Sequence, residues 1–338
     1  MRQERTGAVT EADPTVGELS ESAVLDAMLQ RLGPSHALVG PGDDAAVLAV
    51  HGGRVVATVD TLVHGPDFRL AWTTGGDLGW KAAAVNLADV AAMGARPTAL
   101  LVALTMPEDT RLSFVRELAD GLREACAALA PGTAVEGGDL TVSDTLTVAV
   151  TALGVLDAGT PPVLRSGARP GDVVALAGTL GLADAGLRVL FDRFRDGDGQ
   201  PVAIARDALS RTDAAALAAQ LRPTPPIALG PVAARAGATA MMDVSDGLAL
   251  DGSRLAAASR VTVDLDPAAL GDDPDRALAG GEDHGLLATF PPAAALPDGF
   301  RRIGTVRERA AAAVTVGGVA YTGRGGWDPY RDWDSARG

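Results

Sequence analysis

Apolar residues first recur at helical spacing in Val24, Leu25, Met28, Leu29 and Leu32, which predicts a helix from Ser20 or Glu21 through Leu32. Residues 54–63 form a β-rich run interrupted by one acid, Asp60. A long alanine-rich helix is predicted over 78–93, led in by Gly75-Gly76-Asp77 and stopped by Gly94 and Pro97. Strands are predicted at 98–106 and 146–156, with an amphipathic helix over 113–129 between them. Pro161-Pro162 and the stretch 167–172 then punctuate the chain. Beyond them the pattern predicts a strand at 173–177, a turn at 178–181 and a helix at 182–191. Residues 192–200 are charged and glycine-rich and read as a mobile loop, and Pro223-Thr224-Pro225-Pro226 reads as an extended segment before a short helix ending at Ala236. β-Rich runs close the chain at 259–265, 286–290 and 314–321.

These elements make two αβ halves, and 338 residues are long for one core, so two domains are expected with a boundary near 155–170. The divisions are a polar, disordered lead over 1–15, an N-terminal domain over 16–157 and a C-terminal domain over 158–338. An apolar share of 47% supports a globular chain, and no apolar run approaches a membrane span. The first fourteen residues lack the apolar core of a secretory signal. Cys126 is the only cysteine, which excludes intramolecular disulfides and cysteine-rich metal sites and fits a cytoplasmic location. A net charge of −14 argues against binding a nucleic acid backbone. It leaves phosphate chemistry open, because carboxylates recruit nucleotides through bridging Mg²⁺. Lys81 is the only lysine, and arginine supplies nearly all the other positive charge.

The acids are the chemically informative residues. Asp43 and Asp44 follow a Gly-Pro-Gly turn, where two adjacent carboxylates either hold a hard divalent cation or make a solvated acidic turn. Asp60 sits among β-branched and apolar residues, as a metal ligand or as a strand-end hydrogen-bonding group. Lys81, Val85 and Asp89 share one face of the predicted helix, with Asn86 beside them. That polar stripe faces either a site or solvent. Gly-acid junctions recur at Gly137-Gly138-Asp139, at Asp243-Val244-Ser245-Asp246-Gly247 and at Gly280-Gly281-Glu282-Asp283. Gathered in one cleft, Asp43, Asp60, Asp89, Asp139, Asp243 and Asp246 would hold several Mg²⁺ ions for phosphoryl transfer. The chain has no Walker P-loop, dinucleotide-binding Gly-x-Gly-x-x-Gly, protein-kinase His-Arg-Asp set or Gly-x-Ser-x-Gly elbow, and its four histidines lack metal-site spacing.

The ordered set of these motifs resembles the thiamine-monophosphate kinase family. It comprises Gly42-Asp43-Asp44-Ala45, residues 58–63, residues 81–95, Gly137-Gly138-Asp139, residues 164–168, residues 243–248, Gly280-Gly281-Glu282-Asp283 and Gly326-Trp327-Asp328, spanning about residues 16 to 330. The resemblance implies the two-domain α/β (α+β) fold shared with aminoimidazole ribonucleotide synthetase, with mixed sheets flanked by helices. It also implies ATP-dependent phosphorylation of thiamine monophosphate to thiamine diphosphate by a homodimer, with no dedicated catalytic base. Carried over by motif, Asp43, Thr58, Asp60, Asp89, Asp139, Asp243 and Asp246 are expected to bind Mg²⁺. Gly138, Asp139, Arg165 and Ser245 are expected to contact ATP, and Asp67, Glu282 and Trp327 to line the substrate pocket. Three positions depart from the pattern: Asp67 where relatives carry histidine, Val59 where threonine occurs, and His284-Gly285 in place of Tyr-Glu. Among sister families, selenophosphate synthetase would want an N-terminal reactive cysteine and the hydrogenase maturation protein a C-terminal one, and neither is present. Aminoimidazole ribonucleotide synthetase fits the Ser245 and Glu282 motifs less well, and a non-catalytic nucleotide or Mg²⁺ sensor is the alternative from another class.

Overall fold

The computed structural model describes residues 13–15, 18–19, 21–34, 54–323 and 325–327. The Asp43-Asp44 turn and Asp328 lie outside them. Helix α1 (Glu21–Leu32) is followed by strand β1 (Val55–Val63), helix α2 (Gly75–Ala92), strand β2 (Arg96–Met106), helix α3 (Leu112–Leu129) and strands β3 (Ala134–Val142) and β4 (Thr147–Val155). The four strands form one mixed sheet in the order β1-β4-β2-β3, antiparallel except for the β2–β3 pair. Alternation along β4 buries Val148, Val150 and Ala152 against the helices and turns Ala149, Thr151 and Leu153 the other way.

The remaining strands build a seven-stranded sheet. It contains β5 (Val173–Ala177), β6 (Ala240–Val244), β7 (Thr262–Leu265), β8 (Gly285–Phe290), β9 (Phe300–Arg307), β10 (Val314–Val316) and β11 (Val319–Ala320) in the order β11-β10-β7-β9-β5-β8-β6. Helices α4 (Leu182–Arg193), α5 (Arg211–Leu221), α6 (Leu229–Arg235), α7 (Leu248–Ser259) and α8 (Pro274–Ala279) accompany it. Each sheet has its own apolar core, around Leu87, Leu100 and Leu118 in the first and around Leu176, Leu255 and Ile303 in the second. Among the described residues no helix is long and apolar enough to cross a membrane.

Helix α2 is the element between them. Sixteen of its eighteen residues are buried, because it packs on α3 and β1 and also touches the β6 edge of the second sheet. It begins three residues earlier than the apolar pattern predicts. Thr74 and Asp77 close a reciprocal cap, with Asp77 N donating to Thr74 Oγ1 (3.1 Å) and Thr74 N to Asp77 Oδ2 (3.4 Å). Glycines on the facing sides of α2 and α3 have a packing reason. A Cβ on Gly75 would overlap the Phe114 carbonyl, one on Gly79 the Leu118 carbonyl, and one on Gly121 the Gly76 carbonyl, so α2 and α3 meet backbone to backbone.

Other differences from the sequence pattern have local causes. The Gly137-Gly138-Asp139 junction lies within β3, pressed so close to β2 that a Cβ on Gly138 would overlap the Val102 carbonyl. The 192–200 loop is a hydrogen-bonded turn in which Asp196 Oδ1 accepts from Asp198 N (3.0 Å) and Gln200 N (2.8 Å). The last β-rich run is a hairpin of β10 and β11 around Gly317-Gly318.

Two predictions follow from this packing. Burial pushes the Cys126 thiol up to about 12, so the thiolate is absent at pH 8. Thiol titration should find no reactive cysteine in the native protein and one in guanidinium. Gly121→Ala should destabilise the protein by about 1–3 kcal/mol through overpacking, outweighing a helix-propensity gain of at most about 1 kcal/mol. A lower urea midpoint at unchanged slope would show it.

Candidate active site

The buried position of α2 forces its polar side chains to find partners, and Asn86 and Asp89 find them at β1. Asn86, almost fully buried, donates from Nδ2 to Ala82 O (2.9 Å) and accepts at Oδ1 from Asp60 N (2.9 Å). Thr58 Oγ1 donates to Asp89 Oδ2 at 2.9 Å. Thr58 and Asp60 are registered opposite Ala152 and Val150 of β4, so both lie on the sheet face that meets α2. Val59 falls on the other face and is 59% exposed.

The second half contributes the end of β6 and two turns. Asp243 is buried there, with Oδ2 3.0 Å from Nδ1 of His284, which is itself buried. Asp246 follows in the turn to α7 and accepts from Arg254 Nη1 at 2.5 Å. That turn is stapled by the fully buried Asp251, whose Oδ2 accepts from Asp246 N (2.9 Å) and Gly247 N (3.2 Å). The 280–284 turn runs alongside, with Glu282 N donating to Ser245 O (2.7 Å) and His284 N to Val244 O (3.0 Å). Glu282 and His284 both hold positive φ, 72° and 52°, a conformation that side chains resist and that packing maintains here. Gly281 has no room for a Cβ against the Ser245 carbonyl. Glu282 is thereby aimed back at the first half, where its Oε2 forms an ion pair with Lys81 of α2.

Charge is concentrated at this junction. Burial, then repulsion from Asp243 and Asp60, pushes Asp89 up to about 7. Asp60 is raised by burial and by Asp243. Burial also raises Asp67, although Val63 N donates to its Oδ2 at 2.7 Å. Burial opposes charge on His284, but the Asp243 carboxylate more than offsets it and holds the imidazole above its ordinary value. For Glu282 burial is likewise outweighed, here by the Lys81 ammonium, which keeps the carboxyl below the usual range. Carboxylates that raise one another present an oxygen-only donor set short of positive charge, the chemistry that a hard divalent cation relieves. Among the described residues, however, no three His, Cys, Asp or Glu groups are gathered closely enough to hold a metal ion.

A cavity of about 410 Å³ opens beside this junction, lined by Asp67, Lys81, Ser245, Asp246, Glu282 and Trp327, with Phe68, Trp72 and Phe191 as an aromatic wall. Trp327 is held over the Asp246 turn by its backbone N, which donates to Asp246 O at 2.9 Å. So the structure brings together Thr58, Asp60, Asp89, Asp243 and Asp246, and beside them Asp67, Ser245, Glu282 and Trp327. It does not bring Asp139 and Gly138 to them. The register runs Asp60, Val150, Val102, Gly138 across the sheet, so Gly138 is three strands away, about 14 Å. Asp139, one residue on, points to the opposite face. Arg165 is exposed beside the start of β6 and does not line the cavity, and Asp43 lies outside the described residues.

Two residues and one contact escape the motif reading. Asp251 is the staple under Asp246, and its signal is an acid on the apolar face of α7. His284 was legible only as a departure at the pocket edge, and its contact with Asp243 follows from β6–β8 pairing. The Lys81–Glu282 pair joins elements some two hundred residues apart, which no local pattern records.

Residues 42–156 match the family described as AIR synthase related protein, N-terminal domain. A thiamine-monophosphate kinase of Mycobacterium tuberculosis is 39% identical over 95% of this chain and 95% of its own. The crystal structure of thiamine-monophosphate kinase from Stenotrophomonas maltophilia superposes with a TM-score of 0.72 at 34% identity, covering 90% of this chain and 98% of that one. A structure described as AaThiL complexed with AMPPCP and TMP superposes at 0.71 and 30% identity, covering 94% and 99%. On the identity and coverage of these relatives, the chain belongs to the thiamine-monophosphate kinase family.

Proposed function

We propose that this chain transfers the γ-phosphoryl group of ATP to the phosphate of thiamine monophosphate, giving ADP and thiamine diphosphate, by direct in-line displacement. The observation that carries the reading is the meeting of Thr58, Asp60 and Asp89 with Asp243 and Asp246 beside the cavity of Asp67, Glu282 and Trp327. The family's activity, and a relative described in complex with AMPPCP and TMP, support the same substrates.

In this reaction an acceptor phosphate oxygen bonds to the γ-phosphorus while the bond to the β–γ bridging oxygen breaks, its electron pair leaving with ADP. The attacking oxygen is already anionic, so the site needs no general base. Positioning and charge neutralisation carry the catalysis. Thr58, Asp60, Asp89, Asp243 and Asp246 would hold Mg²⁺, as would Asp43. When bound, Mg²⁺ neutralises the phosphate oxygens of both substrates. Ser245 lies where it can meet ATP, and Asp67 and Glu282 border the acceptor. The Trp327 face suits a cationic ring such as thiazolium.

Asp139 and Gly138 join this scheme through a second copy of the chain, and Arg165 keeps the ATP role that its motif implies. The outward face of the first sheet carries Val55 and Val59, 52% and 59% exposed, with Leu101, Leu153 and Val155 beside them. A sheet stacked on it would bury this apolar surface and bring another Asp139 to the edge of the site. The two sheets then serve as two domains, 16–157 for dimerisation and metal binding and 158–338 completing the site.

Turnover tests the reaction. ADP and thiamine diphosphate should appear together, dependent on thiamine monophosphate, ATP and Mg²⁺, and Asp243→Ala should lower kcat on the order of 10²–10³-fold. Folded, ATP-binding protein that makes no thiamine diphosphate would overturn the reading. For the assembly, Val59→Arg should convert a dimer to a monomer in sedimentation velocity, and wild-type protein running as a monomer at all concentrations would refute it.

A further inference from the structure

Lys81 is the chain's only lysine and is 5% exposed, yet it reaches the cavity wall. Its ammonium has three donors. One faces Glu282 Oε2 in the ion pair. A second meets Gln220, whose amide, oriented with its nitrogen donating to Ala183 O (3.0 Å), accepts from Lys81 Nζ at 3.3 Å. Both partners are fixed in turn, Glu282 by its strained turn and Gln220 by α5, so among the described residues the ammonium is held in place with one N–H uncommitted.

We propose that Lys81 binds the phosphate monoester of the acceptor through this remaining donor, and so sets the preference for phosphorylated over unphosphorylated acceptors; the assignment rests on the substrate reading given above. Location favours it. The ammonium lines the cavity and pairs with Glu282, two residues before the His284 that contacts Asp243 at 3.0 Å, so it lies on the cavity's side toward the acidic cluster. The other cations on the cavity wall are otherwise engaged. Arg69 stacks on Trp72 and Phe191, 5.1 and 5.0 Å from their ring centres, and Arg188 pairs with Asp184 (2.8 Å) at the exposed rim. An ammonium already oriented by Glu282 and Gln220 loses little freedom on meeting an anion.

Calorimetry with Mg²⁺ and a non-hydrolysable ATP analogue, comparing thiamine monophosphate with thiamine, isolates the phosphate contact. Lys81→Met should weaken thiamine monophosphate binding about 10- to 100-fold, the value of one charge-assisted hydrogen bond, and leave thiamine binding within about twofold. Lys81→Arg should recover part of the loss, and KM for thiamine monophosphate should rise more than kcat falls. Because Lys81→Met leaves Glu282 unpaired, Lys81→Met/Glu282→Gln provides a neutral background, and the ratio of the two affinities should collapse there as well. Equal losses for both ligands, or no loss, would overturn the assignment and leave Lys81 as a support for Glu282. Wild-type protein that binds neither ligand would overturn the substrate reading, and this assignment with it.

Discussion

A helix enclosed on nearly every side cannot leave a polar side chain idle, and α2 carries four: Asp77, Lys81, Asn86 and Asp89. They are answered by three different parts of the chain. Asp77 closes the helix cap and accepts from Arg222 Nε at the end of α5 (2.7 Å). Asn86 and Asp89 are bound to β1, and Lys81 reaches the 280–284 turn of the second half. The requirement to satisfy these groups is what ties sheet, helical layer and second half around one axis. Close approach to α3 through Gly75, Gly79 and Gly121 leaves the opposite side of the helix free to be a polar face.

The site inherits its electrostatics from that burial. Carboxylates on a solvated surface would ionise independently; here Asp89 and Asp60 are partly desolvated and face Asp243, so each raises the other's proton affinity. Positive groups are rationed to specific places: Lys81 on Glu282, His284 on Asp243, Arg254 on Asp246 and Asp251. A cluster so arranged is short of positive charge, which the proposed divalent cations would supply. Backbone strain at Glu282 and His284 is stored where it aims side chains across the junction.

Much of the fold was legible in the chain. Strongly periodic segments such as α3 and β4 announced themselves because each buries one continuous face, and apolar strands such as β5 and β8 because they are buried along nearly their whole length. Elements whose residues serve two environments did not. β9 carries Arg301 and Arg302 among buried neighbours, and α5 is alanine on all sides, so neither shows a clean period. Gly137-Gly138 shows in the chain only as a Gly-acid junction; in the fold it permits two parallel strands to touch.

By itself the sequence determined the residue types and their order: oxygen donors spaced by glycine-rich turns, a lone lysine on the face that carries Asp89, and motifs whose succession identifies the family. Local physics is enough for that, since turn geometry, helix periodicity and strand alternation depend on near neighbours. Which acids meet was decided only by tertiary structure. Strand order placed Asp139 on the far edge of the sheet from Asp60 and on its other face, although both belong to Gly-acid or β-rich motifs that look equivalent in the chain. Chain crossing between the halves brought Asp243 to Asp89 and Glu282 to Lys81, because long-range pairing depends on which faces must be buried together.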